Sequence, residues 1–125
     1  LFETSDDRLL VNELAMRPHN SGHWTQDGAV TSQFEQHLRA VLDLPLGDAG
    51  ATAPWTVMMN ILGGPSEGPL DARYVSAMSA VPHAKIHNYG KDPRPGRKVG
   101  HINVTGEVLD DVTYDAREAA AAFQD

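Results

Sequence analysis

The sequence of 125 residues contains no cysteine and no long apolar run, and its basic residues are few. Without cysteine, disulfide bonds, a thiol nucleophile and a cysteine-based zinc site are excluded. No stretch approaches the ~20 apolar residues of a membrane-spanning helix, and no secretory apolar segment opens the chain. Lys and Arg total 10 against 17 Asp and Glu, a net charge of −7. We therefore expect a cytoplasmic protein that binds neither membranes nor nucleic acid, although a local anion site remains compatible with this charge.

The composition is that of a globular protein, with 41% hydrophobic and 22% charged residues. The length favours one domain or a piece of one. The chain starts with leucine, and residues 1–4 have the pattern of a strand that enters a turn at residues 5–8. A second strand begins at Leu9. We predict a hairpin here and expect the chain to be a fragment.

Hydrophobic periodicity predicts a succession of strands and helices along the rest of the chain. Ser32 and Glu35 form a capping-box pattern ahead of a helix with an apolar face, which Pro45 stops. The apolar face consists of Phe34, Leu38, Val41 and Leu42. Strands are predicted at residues 55–62, 84–89 and 99–105, and helices at residues 70–78, closed by Pro82, and 114–123, capped by Thr113. This order is typical of an α+β or α/β fold with mixed sheets.

Asn12 and Glu13 end the second, mostly apolar strand of the hairpin. A carboxylate is unusual in such a place, because Glu is rarely buried without a partner. One interpretation is a magnesium ligand, since this cation takes carboxylate oxygens and bridges to substrate phosphates. The alternative is a Glu that points to solvent at the end of its strand.

Residues 17–24, Arg-Pro-His-Asn-Ser-Gly-His-Trp, place one cation, two imidazoles, an amide and a hydroxyl in a short loop. Arg offers a planar fork of donors and His and Asn add single donors, so the loop can bind a small oxyanion. His19 and His23 also suggest zinc, although Pro18 and Gly22 oppose the helix that would align both rings. A polar surface loop without a ligand is the third interpretation.

Residues 91–98 hold four cations and one anion, a local charge of +3 on an acidic chain. Such a loop, stiffened by two prolines, suits a phosphate-bearing small molecule. The alternative is a solvated hairpin tip. His101 follows on the next strand, where a hydrogen-bonded structural histidine is the usual case.

Several stretches together resemble one family. Residues 11–25, with the run RPHNSGHWT, residues 28–40, residues 89–91 and residues 94–101 resemble 5-(carboxyamino)imidazole ribonucleotide synthase, the PurK-type ATP-grasp ligase of purine biosynthesis. The resemblance covers nearly the whole chain. It implies an α+β fold, with the end of an ATP-grasp core at residues 1–45 and a small domain like a rudimentary barrel-sandwich hybrid at residues 46–125.

The resemblance also implies a reaction. The family joins aminoimidazole ribonucleotide to bicarbonate while ATP becomes ADP and phosphate, through carboxyphosphate, in a magnesium-dependent and usually homodimeric enzyme. By position, Glu13 becomes the magnesium ligand and, with Asn12, part of the ATP site. Arg17, His19 and Asn20 correspond to the clamp that binds bicarbonate and carboxyphosphate. Lys91, Arg97 and Lys98 correspond to the residues that bind the 5′-phosphate of the ribonucleotide. The rest of the ATP site is missing, so the resemblance predicts that this piece alone is inactive.

Three other functions are compatible with parts of the sequence. Another ATP-grasp carboxylase or ligase is the nearest alternative, and the RPHNSGHWT loop argues against it. A biotin or lipoate carrier is a second, but neither Lys85 nor Lys91 lies in the Ala-Met-Lys-Met pattern of such carriers. A metal-storing histidine protein is a third, and it predicts zinc retention that depends on His23.

Overall fold

The computed structural model describes residues 1–124, and its strands form two antiparallel sheets. The first sheet pairs β1 (Phe2–Glu3) with β2 (Leu9–Leu10). The second has the order β3-β5-β4, with β3 at Trp55–Leu62, β4 at Lys85–Asn88 and β5 at Lys98–Gly106. The helices are α1 (Thr25–Gly28), α2 (Gln33–Val41), α3 (Tyr74–Ala80) and α4 (Leu109–Ala121). The α+β class is confirmed, whereas the expected mixed sheet is wrong because β3 and β4 both run opposite to β5.

The predicted hairpin at the start of the chain is confirmed. Phe2 pairs with Leu10, and the turn closes where the Thr4 backbone N–H donates to the Arg8 carbonyl at 3.0 Å. Asp7 has φ 59°, in the left-handed region that Asp tolerates better than most residues. Among residues 1–124, no helix is long and apolar enough to cross a membrane.

The central strand β5 separates an apolar layer from a polar one. Ile102 and Val104 point to one face and are fully or almost fully buried, whereas His101 and Asn103 alternate with them and are buried on the opposite face. The apolar face packs against α4, whose alanines allow close approach. The polar face lies against α1. Two different environments therefore meet at one strand, and the polar one faces the loop at residues 17–24.

Helix α4 begins at Leu109, earlier than predicted, and Thr113 is not its cap. The N-cap position is Val108, which makes no side-chain capping bond. Two carboxylates in the first turn, Asp110 and Asp111, favour the early start because they complement the positive end of the helix dipole. Val112 is already buried against the sheet, which adds an apolar contact to that turn.

Helix α2 confirms half of its capping box. The Ser32 hydroxyl accepts a hydrogen bond from the Glu35 backbone N–H at 3.3 Å, but the Glu35 carboxylate pairs with Arg39 at 2.6 Å. The reciprocal half of the box is therefore wrong, because Arg39 offers a charged partner one turn along the helix. The apolar face of α2 remains largely exposed, with Leu38 58% accessible. The predicted helix at residues 70–78 is a short 3₁₀ turn, Leu70–Arg73, that continues into α3.

Candidate functional site

A cavity of about 400 Å³ lies where the loop at residues 17–24 meets the start of β5 and the segment after β4. Its lining residues are Glu13, Arg17, His19, Asn20, His23, Tyr89, Lys91 and Lys98. Six of the eight predicted site residues are among them. The two that do not line it are Asn12 and Arg97. The loop at residues 17–24, called the oxyanion loop below, therefore shares one cavity with Lys91 and Lys98, which are far from it in sequence.

His19 is held on both ring nitrogens. Its Nε2 lies 2.7 Å from a Glu13 carboxylate oxygen, and its Nδ1 lies 2.9 Å from the Ser21 hydroxyl. The side-chain amide of Asn12 donates to the same Glu13 oxygen at 3.5 Å. Asn12 and Glu13 also line a neighbouring cavity of about 350 Å³. The predicted ATP-site pair thus stays together, on the side of the loop that faces the hairpin.

Asn20 joins the loop to the sheet. Its side-chain nitrogen donates to the Asn60 side-chain oxygen at 2.9 Å, and its own oxygen accepts from Lys98 Nζ at 2.8 Å. Asn60 belongs to β3 and Lys98 begins β5, so one amide ties the loop to two strands. Lys98, the last residue of the basic loop at residues 91–98, is thereby fixed beside the oxyanion-binding residues.

The basic residues of the loop at residues 91–98 fall into two groups, one at the cavity and one away from it. Lys91 Nζ lies 5.4 Å from the ring centroid of Tyr89, within the range of a cation–π contact. Arg97 instead donates to the Asp92 carbonyl at 3.3 Å, inside its own loop. The contacts therefore favour Lys91 and Lys98 over Arg97 as the cations nearest a ligand in this cavity.

A layer of histidines lies beneath the cavity. His101 stacks on His87 with ring centroids 4.4 Å apart, and its Nδ1 lies 2.7 Å from the Tyr89 hydroxyl. His87 is bonded to Asp27 at 2.7 Å, and Asn103 donates to the same carboxylate oxygen at 2.7 Å. Asp27 comes from α1, so this polar layer fastens α1 to β4 and β5.

His101 is only partly the satisfied strand histidine that its position suggests. Its Nε2 is buried and has no hydrogen-bond partner within residues 1–124. Burial lowers the pKa of His101 to about 4, and the neighbouring His87 and His23 push it in the same direction. Burial also lowers the pKa of His23 and raises that of Tyr89. Both His101 and His23 are therefore neutral at pH 7.

We predict that His101 makes folding pH-dependent. Its pKa is depressed in the folded chain, so between about pH 6.5 and pH 4 the unfolded chain takes up a proton that the folded chain refuses. Stability is unaffected above this window and falls as pH drops through it, by up to about 3 kcal/mol. Urea unfolding of the chain at several pH values measures the loss.

The control for this prediction is a matched pair of variants. His101→Asn removes the titrating group and should flatten the pH dependence, whereas His37→Gln, on the exposed side of α2, should leave it as in the unmodified chain. An unchanged slope in His101→Asn would show that another group is responsible.

The donors present define what metal the site can accept. Glu13 is the one carboxylate among the residues that line the cavity in the described part of the chain. Within residues 1–124, no group of three or more His, Asp or Glu side chains is placed to hold a metal ion. A zinc site at His19 and His23 would lack further ligands there. Magnesium fits better, because it is bound by one or two carboxylates and completes its shell with phosphates and water.

Sequence reasoning missed several residues of this site. His23 enters the sequence analysis only as one of the two imidazoles of the loop and as a zinc candidate, and Tyr89 enters it only within a motif. Gln33 and Asp27 have no predicted role. The signal for Tyr89 was available, since it follows a strand directly before the basic loop. No local pattern marks Gln33 or Asp27, because their partners are brought to them by the fold.

Comparison with known proteins places these features in a family. Residues 1–34 match the ATP-grasp domain, and residues 56–115 match the phosphoribosylaminoimidazole carboxylase C-terminal domain. The N5-carboxyaminoimidazole ribonucleotide synthase of Mycobacterium tuberculosis (strain ATCC 25618 / H37Rv) is 60% identical over 122 residues, which are 96% of this chain and 28% of that protein. The chain belongs to the N5-carboxyaminoimidazole ribonucleotide synthase family. The Corynebacterium ammoniagenes synthase is 54% identical over 94% of this chain and 29% of its own length.

Solved structures of synthases in this family have the same fold over this segment. The phosphoribosylaminoimidazole carboxylase ATPase subunit of Aquifex aeolicus superposes with a TM-score of 0.80 at 41% identity, covering 98% of this chain and 36% of that one. The synthase of Aspergillus clavatus in complex with ADP and 5-aminoimidazole ribonucleotide gives a TM-score of 0.80 at 36% identity, covering 98% and 33%. The chain thus spans about a third or less of the synthases that it matches.

Proposed function

We propose that this chain supplies the oxyanion- and phosphate-binding part of an ATP-dependent ligase of purine biosynthesis. The ligase carboxylates 5-aminoimidazole ribonucleotide with bicarbonate and gives 5-(carboxyamino)imidazole ribonucleotide, ADP and phosphate. The observation that carries the proposal is the shared cavity, in which Arg17 and His19 lie with Lys91 and Lys98. Such a cavity suits a reaction with two small anionic partners, one a carboxylate and one a phosphate ester.

The oxyanion side of the cavity has the chemistry that carboxyphosphate needs. ATP transfers its terminal phosphoryl group to a bicarbonate oxygen, and the amine of the ribonucleotide then takes the carboxyl group while phosphate leaves. Negative charge grows on oxygens that Arg17 and Asn20 can stabilise as N–H donors. His19, the third residue of the proposed clamp, would donate to the substrate only by exchanging its Nε2 contact with Glu13 for it. Arg17 uses one N–H on the Pro18 carbonyl, at 3.0 Å, and the other guanidinium donors can bind the substrate.

The phosphate side is carried by lysines, which suit the 5′-phosphate as point charges. Lys98 is held by Asn20, and Lys91 lies over the Tyr89 ring. Lys98 begins β5 and Lys91 follows β4, so two neighbouring strands bring both lysines to one cavity. We include Arg97 in the phosphate-binding set as a cation farther from the cavity, because its guanidinium donates a hydrogen bond to Asp92 within its own loop.

Magnesium would be held here by Glu13, with Asn12 beside it in the ATP site. The Glu13 side chain is 53% exposed, so it remains accessible to a cation beside its hydrogen bond to His19. Bound magnesium would neutralise phosphate charge during phosphoryl transfer. The carboxylate would in turn keep His19 oriented through its 2.7 Å contact.

The proposal includes a division of the chain and an assembly. Residues 1–45 would end the ATP-grasp core, and residues 46–125 would form the small C-terminal domain. Matches of two different domain families on either side of this boundary support the division. We further propose that the enzyme is a cytoplasmic homodimer that binds neither nucleic acid nor membranes. The net charge of −7 on these 125 residues supports the absence of nucleic-acid binding.

The test uses the full-length enzyme, by which we mean a synthase of family length that carries these 125 residues in the matching segment. ADP release is measured with ATP, magnesium and bicarbonate, with and without the ribonucleotide. We expect strong stimulation by the ribonucleotide. ATP binding without this stimulation would favour an ATP-grasp enzyme with another acceptor, and a covalent group detected by intact mass would favour the carrier alternative.

A further inference from the structure

The side chain of Gln33, at the first residue of α2, is bonded to the oxyanion loop at three points. Its oxygen accepts from the His19 backbone N–H at 3.0 Å. Its nitrogen lies 2.6 Å from the His19 carbonyl oxygen and 2.6 Å from Nδ1 of His23. A Cβ added at Gly22 would lie 2.6 Å from the Gln33 oxygen, so the loop has glycine where this amide passes.

These contacts fix the orientation of the amide. A backbone N–H can only donate and a carbonyl can only accept, so the Gln33 oxygen faces the His19 N–H and the Gln33 nitrogen faces the carbonyl. One hydrogen of that nitrogen goes to His19 and the other to His23. Nδ1 of His23 must therefore accept, and the ring hydrogen of the neutral imidazole resides on Nε2.

The surroundings of His23 keep it neutral. Burial lowers its pKa, and nearby positive or ionisable groups lower it further. These groups come from the loop, from β4 and from β5, and they are His19, Lys98, His87 and Arg17. The rings of Phe34, Tyr89 and His101 also face it, at centroid distances of 5.0, 6.2 and 5.4 Å.

We propose that His23 donates a hydrogen bond from Nε2 to an oxyanion bound in the cavity, and that Gln33 is the positioning residue that fixes this tautomer. His23 lines the cavity, and its Nε2 makes no hydrogen bond to any residue in the range 1–124. Because Nδ1 is occupied by Gln33, His23 acts as a donor and not as a base. The ligand class is a phosphate or an acyl phosphate, and this assignment rests on the proposed function.

The tautomer can be measured without any assay of activity. In the full-length enzyme labelled with ¹⁵N-histidine, nitrogen NMR at pH 8 should show His23 with a bare Nδ1 and a protonated Nε2. Gln33→Glu replaces the donor by a carboxylate that can only accept, so it should move the hydrogen to Nδ1. Titration with inorganic phosphate should shift the Nε2–H signal. A hydrogen on Nδ1 in the unmodified enzyme, or an Nε2–H signal that saturating phosphate does not move, overturns the proposal.

Measurements of enzyme activity then distinguish a His23 that donates a hydrogen bond from a His23 that only packs against its neighbours. His23→Leu should lower kcat/KM for ribonucleotide-dependent ADP release by about tenfold to a hundredfold, as expected for a lost hydrogen bond to a charged group. His23→Gln should retain most of the activity, because its amide N–H can take the place of Nε2–H. The control, His37→Gln on the exposed side of α2, should match the unmodified enzyme.

Two outcomes distinguish this proposal from the proposed function. Full activity in His23→Leu contradicts the donor role while the ligase activity stands. No ribonucleotide-dependent ADP release in the unmodified enzyme contradicts the proposed function, and the tautomer and phosphate measurements then decide the role of His23 by themselves.

Discussion

Arg17→Ala in the full-length enzyme should lower kcat by about 10²- to 10³-fold, the loss typical for removal of one donor to a developing oxyanion. The KM for ATP should change little. Arg17 lines the cavity beside His19, and its guanidinium can offer paired donors to a carboxylate or an acyl phosphate. The charge that it would stabilise grows during the reaction, so its removal raises the barrier more than it weakens ground-state binding. Steady-state kinetics with ATP and bicarbonate varied separately measure the split.

Two further variants serve as comparisons for Arg17→Ala: one removes a different arginine, and one replaces Arg17 by lysine. Arg39→Ala removes a guanidinium that pairs with Glu35 on the surface of α2, and it should leave kcat unchanged. Arg17→Lys should recover only part of the activity, because an ammonium cannot bind two oxygens in the planar geometry of a guanidinium. Equal losses in kcat and in ATP affinity for Arg17→Ala would contradict the clamp role.

Lys91→Ala should raise the KM for 5-aminoimidazole ribonucleotide by about tenfold to a hundredfold and leave the KM for ATP unchanged. Lys91 lines the cavity, and the Tyr89 ring supports its ammonium group at 5.4 Å. A lysine that binds the phosphate of the substrate stabilises the bound ground state and the transition state alike. Its loss is therefore expected in KM and not in kcat.

The matched control for Lys91 is Lys85, an exposed lysine of β4 that is not among the lining residues. Lys85→Ala should leave both KM values unchanged, although it removes the same charge from the chain. Added inorganic phosphate should inhibit the unmodified enzyme by competition with the ribonucleotide and should compete poorly in Lys91→Ala. An increase confined to the KM for ATP would place Lys91 in the nucleotide site instead.

The polar layer under the cavity shows why part of the site was out of reach of sequence reasoning. Gln33 and Asp27 are ordinary polar residues at the ends of short helices, and nothing near them in the sequence marks them. Their partners lie 10 to 14 residues away for Gln33 and 60 to 76 residues away for the Asp27 carboxylate. Such bonds exist only after the chain has brought α1, α2 and the sheet together.

The sequence pattern predicted an element correctly where the residues that determine that element are close together in the sequence. The alternation in β3 predicted its bounds, Trp55–Leu62, and the turn residues predicted the hairpin at the start of the chain. The predicted start of α4 was wrong because Val112 is buried against the sheet and this apolar contact stabilises an earlier first turn. That contact involves a strand, and the helix period alone does not contain it.

By itself, the sequence predicted the strands of the central sheet and the chemical types in the two candidate loops, and its family resemblance selected the α+β class from a pattern that also allowed α/β. The motif at residues 17–25 also pointed to the family, which the comparisons confirm. Only the tertiary structure decided which cations share the cavity, that Lys98 is held by Asn20, and that Arg97 bonds within its own loop. The physical reason is the range of the interactions: a hydrogen bond spans about 3 Å, and only folding brings residues 20 and 98 within that distance.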